Sequence, residues 1–240
     1  MALVDQSAIR NQLLTALPPE ALSTLLPHLR PVALPMREIL HRPNEPIPSV
    51  LFPESGYVSL IATLEDGDAA EVGLVGREGM LGVPLALGAD RSPLEALVQG
   101  EGHALHLDAD IFVARMNEQP SLRALMLRYV MAFNMQVTMT AACNGRHQIE
   151  QRLARWLLMA HDRLENDEFP MTHEFLSMML GVRRAGVTVA AGVLQKAGFI
   201  SYDRGRVRVT DRPGLEAAAC ECHGIVRREF QRLLGSGVGG

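Results

Sequence analysis

The chain has 240 residues, 48% of them apolar, and a net charge of −4. That is room for one large or two ordinary domains. No apolar run is long enough to span a bilayer, which excludes a membrane partner, and no basic start precedes an apolar leader, so a cytoplasmic protein is expected. Three cysteines, Cys143, Cys220 and Cys222, do not make a disulfide framework. The charge is unevenly spread. Residues 145–240 carry 14 Arg and Lys against 11 Asp and Glu, whereas residues 1–144 carry 9 against 16. Such asymmetry suggests a basic partner-binding part and a separate acidic part.

Residues 1–30 read as two short surface helices. The first has an apolar face of Ile9, Leu13, Leu14 and Leu17; the second, Glu20 to Leu29, follows Pro18-Pro19. From Arg30 to Leu107 the texture changes to short apolar runs: Val50–Phe52, Tyr57–Thr63, Ala70–Leu74, Leu97–Val98 and Ala104–Leu107. Turn signals at Asn44, Ser55-Gly56, Asp66-Gly67 and Gly76 to Gly79 separate them, which argues for a β sandwich or roll. Gly73, Gly76, Gly79 and Gly82 recur every third residue. With no GxGxxG or GKS/T spacing, tight turns at a corner of the roll are the favoured reading over a phosphate loop.

Asp108, as N-cap, opens a short helix to Asn117. Pro120 opens a long one to about Ala142. The long helix is apolar nearly all round, from Leu122 through Tyr129 and Phe133 to Met139, so it must be buried on more than one side. One face can cover the roll; the other calls for the same helix of a second subunit. Asn144-Gly145 is read as a break and domain boundary, dividing the chain into 1–144 and 145–240. Residues 147–165 form another helix, followed by an acidic loop to Glu168.

Met171 to Ile200 reads as helix, tight turn, helix. Thr172 is a good N-cap, Phe175, Leu176, Met179 and Leu180 recur at helical spacing, and Gly181 can end a helix in the left-handed conformation. A second helix carries Val187, Ala190, Ala191 and Leu194 and stops at Gly198. Ile200–Tyr202 and Arg206–Val209 then flank Asp203-Arg204-Gly205 as a small β wing. Such a unit places its second helix in the DNA major groove. A last helix runs from Asp211-Arg212-Pro213 to about Leu234, before a Gly-rich tail, Gly235–Gly240, expected to be disordered.

The order roll, long helix, helix-turn-helix and wing resembles the Crp/Fnr family of bacterial transcription regulators over nearly the whole chain. The most specific segments are Thr172-His173-Glu174, Leu180-Gly181-Val182-Arg183-Arg184 and Val193 to Ile200; Glu54 to Ser59 and Gly79-Met80-Leu81-Gly82 are weaker matches. The resemblance implies an α+β protein: an N-terminal cyclic-nucleotide-binding-like β roll with a dimerisation helix at about 120–142, then a C-terminal winged helix-turn-helix domain. It implies a homodimer on double-stranded DNA with a two-fold operator, and admits RNA polymerase as a further partner. Thr172, His173 and Arg183 match phosphate-contacting positions, and Arg204 and Arg206 match the wing. The base-reading positions fall on Arg184, Ala185 and Val189. Arg184 could grip a guanine edge, and Thr188, one turn later, is the next candidate reader.

The effector side departs from the family. The cassette's Glu position holds Met80. Arg91-Ser92 is present, but Pro93 follows and alignment there needs insertions. A cyclic nucleotide therefore meets a degenerate cassette, with Gly79, Leu81, Gly82, Arg91, Ser92 and Thr138 as the effector-binding candidates. The effector is left open between a cyclic nucleotide, a different ligand and none. A useful observation is whether a polar pocket faces the long helix near Thr138, with Arg91 pointing in.

Other chemistry is set aside. Cys220-x-Cys222 on one helix would point its thiols about 200° apart, too far to share an ion, and although Cys143 and His147 could share one at the hinge, no metal is assigned. No HExxH or GxSxG occurs, so an enzyme is not expected. The expected function is a sequence-specific, homodimeric transcription regulator controlled through the roll. The alternative is a nucleotide-sensing module acting mainly on a protein partner.

Overall fold

The computed structural model describes residues 6–235, so all but Gly235 of the expected disordered tail lies outside the described residues. A 3-10 turn leads to α1 (Gln12–Thr15), capped by the Asn11 side chain, which accepts from Leu13 and Leu14 N–H. Pro19 opens α2 (Pro19–Leu25). The roll then follows as β1 (Arg30–Leu34), β2 (Ile39–His41), β3 (Ser49–Thr63), β4 (Ala69–Val75), the single turn α3 (Val83–Ala86) and β5 (Glu95–Asp108). The sheet is antiparallel in the order β1-β5-β3-β4, with β2 also on β5.

Two long strands replace the short ones expected. Val50–Phe52 and Tyr57–Thr63 are one strand, as are Leu97–Val98 and Ala104–Leu107. Register shifts around Pro53, Ser55 and Tyr57 bend the β3–β5 pair without interrupting it. Gly73 also departs from the turn reading: it lies inside β4, where a Cβ would sit 2.8 Å from the Phe133 ring.

α4 (Ala109–Glu118) starts after Asp108, which does not cap it; its carboxylate accepts from Arg30 at 2.7 Å instead. α5 (Pro120–Arg146) is a turn longer than read from sequence. Asn144 and Gly145 lie within it, since each costs a helix only about 1 kcal/mol or less and neither blocks its hydrogen bonds. His147, in extended conformation, ends it. α6 (Ile149–His161) begins with a capping box of Gln148 and Gln151 and is shorter than the 147–165 expected.

The residues after the acidic loop form a strand, β6 (Glu168–Pro170). α7 (His173–Leu180), α8 (Arg184–Lys196), β7 (Ile200–Asp203) and β8 (Arg206–Val209) complete a winged helix-turn-helix with sheet order β6-β8-β7. The single last helix expected is two, α9 (Arg212–Ala218) and α10 (Cys222–Leu234), because Ala219 turns extended between them.

Two cores result, and neither keeps to one half of the chain. The first joins the roll, α1, α2 and α5 with Val226, Phe230 and Leu234 of α10. The second joins α6 to α9 and the wing with Tyr57, Ile61 and Leu74 of the roll. α10 thus returns onto α5, and the Phe230 ring meets Tyr129 edge-on at 6.4 Å. Between the halves, Arg163 of the loop after α6 donates to buried Glu78 at 2.6 Å, and Trp156 of α6 donates to Glu71 of β4 at 2.7 Å. No single helix among the described residues is long and apolar enough to cross a membrane.

Candidate nucleic-acid interface and sensor roll

The Thr172 hydroxyl accepts the Phe175 N–H at 3.1 Å and so starts α7; its own proton stays free to donate. Gly181, at φ 58° and ψ 43°, ends α7 in the left-handed region. Val182 and Arg183 complete the turn, and α8 leaves at 106° to α7. α8 buries Val187, Ala190, Ala191 and Leu194. Its opposite face presents Arg184, Ala185, Thr188, Val189, Gly192 and Val193, all exposed. Val189 is 64% exposed, so it lies on this face and not in the core. Arg183, at the N-cap of α8, is exposed too.

His173 fixes the parts to one another. Thr188 donates its hydroxyl proton to the Arg184 carbonyl at 3.1 Å, so it accepts from His173 Nδ1 at 3.0 Å. The imidazole also stacks on Tyr202 at 4.3 Å, and the Tyr202 hydroxyl donates to the Met171 carbonyl at 2.9 Å. One histidine therefore ties α7, α8 and the wing. Burial, and then the nearby Arg184 guanidinium, lowers its pKa, which keeps it neutral. Its ring can orient the motif; as a neutral group it does not add a charge toward phosphate.

At the wing tip, Arg204 (φ 46°) and Gly205 (φ 77°) make the turn, and the Arg204 side chain is 92% exposed. Arg206 is placed differently. Its Nε donates to Glu168 Oε1 at 2.5 Å, and Arg208 grips the other oxygen of the same carboxylate. The β6–β8 register, Glu168 opposite Arg208, creates this clamp. Glu168 did not stand out in the sequence, because a three-residue strand ending in proline carries no readable periodicity, and without that partner Arg208 of the wing had no visible role.

In the roll, the family-like cassette is occupied by the chain itself. Gly79 and Gly82 are buried, as are Met80 and Leu81. Asn11 donates to the Gly79 carbonyl at 2.9 Å, Tyr129 donates to the Met80 carbonyl at 3.1 Å, and Leu81 bonds Leu51 through both its N–H and its carbonyl. A Cβ on Gly79 would collide with the Tyr129 ring. The Gln136 amide of α5 pairs with both backbone groups of Leu74, at 2.7 and 3.2 Å, capping the open edge of β4. Arg91 does not enter this space. It is exposed and donates to the Asn44 carbonyl at 3.1 Å, while half-buried Ser92 accepts from the Leu94 N–H. Thr138 is exposed on α5.

Two cavities lie nearby, and both face the winged half. One of about 30 Å³ is lined by Glu78, Asp162, Arg163, His223, Val226 and Phe230 among others. The other, about 10 Å³, lies between Glu71, Thr140, Arg152, Arg155 and Trp156. Beside the first, Asp162 accepts from Arg212 at 2.5 Å and from His223 at 2.9 Å. Burial alone would raise the Asp162 pKa, but these two partners outweigh it and hold it at about 2.

The comparisons with known proteins agree with this architecture. Residues 31–119 match the model of the cyclic nucleotide-binding domain, and residues 151–218 match the Crp-like helix-turn-helix domain. No curated protein matches the chain. Among solved structures, a transcriptional regulator of the Crp/Fnr family from Eubacterium rectale superposes with a TM-score of 0.68 at 16% identity, over 86% of this chain and 96% of that one. FixK2 from Bradyrhizobium japonicum gives 0.69 at 15% identity, over 80% and 98%. A cAMP-binding regulatory protein from Silicibacter pomeroyi gives 0.62 at 21%, over 89% and 98%. A cyclic nucleotide does not fit the residues of this roll: ligand sites of that size run to about 300 Å³ or more, and here Tyr129, Phe133 and Gln136 fill the space between roll and α5. The two family models together span well over half of the sequence, in the order that the fold displays, and the chain belongs to the Crp/Fnr family of transcription regulators.

Proposed function

We propose that the protein is a cytoplasmic, sequence-specific transcription regulator that works as a homodimer on a two-fold operator. The carrying observation is a stripe on α5. Ala124, Leu127, Met131, Asn134, Thr138 and Ala141 are all exposed, at alternating steps of three and four residues. That 3.5-residue period is the seam of a left-handed two-helix coil. Leu127 and Met131, one helical turn apart on this stripe, are 41% and 47% exposed. Roll and α10 cover the remaining faces of α5, so the stripe is the face left for a second copy.

In this reading, Arg184 donates to a guanine edge. Thr188 supplies the second directional contact, and Ala185 with Val189 offers an apolar surface to a thymine methyl. Thr172, Arg183 and Arg204 hold the phosphate backbone. His173 acts by positioning Thr188. The signal does not enter as a cyclic nucleotide in the roll, a reading supported by the filled cassette and by Arg91 turned outward. Selection of bound duplexes from a random pool, with the mass of the complex measured in solution, tests the proposal. A two-fold consensus bound by two chains is the expected result. A monomer on an asymmetric site would overturn it.

A further inference from the structure

Cys143, His147, Cys220 and Cys222 meet where the long helix ends. Cys143 lies in the last turn of α5 and His147 directly follows that helix. Cys220 sits in the turn after α9, and Cys222 opens α10. The objection that Cys220 and Cys222 share a helix therefore fails: the break at Ala219 brings both thiols to the same side. One ligand atom from each of the four residues lies within 4.8 Å of all the others. Cys143 Sγ is 3.4 Å from Cys220 Sγ, and Cys222 Sγ is 3.7 Å from His147 Nδ1.

Those spacings are close to the ligand separations that a tetrahedral ion requires. With zinc–sulfur bonds of about 2.3 Å, a tetrahedral ion holds its thiolates about 3.8 Å apart. A multi-iron cluster needs a wider cage. We propose that Cys143, His147, Cys220 and Cys222 bind one zinc ion as a closed Cys3His site. Soft thiolates with one imidazole in tetrahedral array select zinc among the common divalent ions. All three cysteines are buried, and four protein ligands leave no open position, which marks a structural site.

The surroundings complete it. His147 turns Nδ1 to the sulfurs, and its Nε2 lies 3.3 Å from the Glu221 carboxylate, the outer partner that orients a zinc-bound histidine. Three thiolates and one zinc ion leave a net charge of −1. Arg152 and Arg155 are both buried, and neither forms an ion pair among the described residues. Each has an unpartnered Nε, and both stand close enough to Cys143 to feel its charge. They supply the compensating positive charge. The ion clasps the end of α5 to the start of α10 and so fixes the hinge from which the winged half departs. This assignment is independent of the DNA-reading proposal.

The test uses the full chain purified without chelator. Metal analysis is expected to find one zinc per chain. Replacement by Co2+ is expected to give the intense visible bands and thiolate charge transfer of a tetrahedral site. Cys222→Ser and His147→Ala are each expected to cut zinc retention at least about tenfold, and Glu221→Gln, which removes no ligand, to weaken affinity about 10–100-fold. The wild-type Co2+ spectrum decides the matter even if a cysteine variant does not fold. A chain that stays metal-free after incubation with Zn2+, a weak octahedral Co2+ spectrum, or a Cys143–Cys220 disulfide in the isolated protein would each overturn the assignment.

Discussion

Trp156 Nε1 donates to Glu71 Oε1 at 2.7 Å, joining the first helix of the winged half to the edge strand of the roll. The second carboxylate oxygen accepts from Ser59 at 2.5 Å. Burial dominates this group and lifts its pKa to about 7, against the lowering effect of both hydrogen bonds and of Arg155 and Arg163. Below its unfolded value of 4.5, both states hold the proton and Glu71 adds no pH dependence. As pH rises from there to about 7, the unfolded chain releases the proton first and stability falls; above that the loss is complete. The loss is on the order of 3 kcal/mol. Glu71→Gln keeps an acceptor for Trp156 and is expected to flatten that part of the profile. Denaturation across this range checks it, and equal slopes in both proteins would refute the assignment.

The exposed stripe of α5 gives a second expectation. Leu127→Glu with Met131→Glu places like charges on the seam of two copies. Solution mass is expected to fall from two chains to one with the helical signal unchanged. If the mass does not move, the stripe is not the contact.

On DNA, Arg184→Ala is expected to cost about 1–3 kcal/mol and to relax preference at the base it contacts. Arg204→Ala should weaken every sequence alike and lower the salt slope by about 1. Titrations at several salt concentrations separate the two. An Arg184→Ala protein that binds its selected site unchanged would remove α8 as the reader.

Phe230→Ala opens a cavity under α10, where the ring is 2% exposed against Tyr129. A loss of about 3–5 kcal/mol is expected. Trp156, the single tryptophan, reports on the other core. Because α10, part of the first core, also packs on α6 of the second, with His223 bonded to Asp162, fluorescence and circular dichroism should shift together. A tryptophan transition that stays put while the helical signal moves would show the cores to be independent.

What could be read from the chain was local. The Thr172 hydroxyl, the Gly181 stop and the Arg204-Gly205 turn each act within a few residues, and the structure has all three in those roles. The length of β3 was hidden because Glu54-Ser55-Gly56 looks the same as a turn or as a bulge within a paired strand. Arg91-Ser92 matched a pattern in sequence, but the direction of Arg91 is set by Asn44, 47 residues away. The thiol cluster depends on the extended Ala219 in a run that reads as unbroken helix, and on partners 77 residues apart.

The return of α10 to α5 also changes how the winged half can move. A domain hung from one linker swivels as on a ball joint. Here the chain leaves α5 at His147 and comes back to it through α10, so the reading head is held at two points. These two chain anchors favour a swing about the line between them, and such a swing must part Trp156 from Glu71 and Arg163 from Glu78. Such a swing would carry Arg184 and Arg204 along a common arc and, in the proposed homodimer, alter their distance from the matching pair on the second copy, with the geometry inside each head preserved.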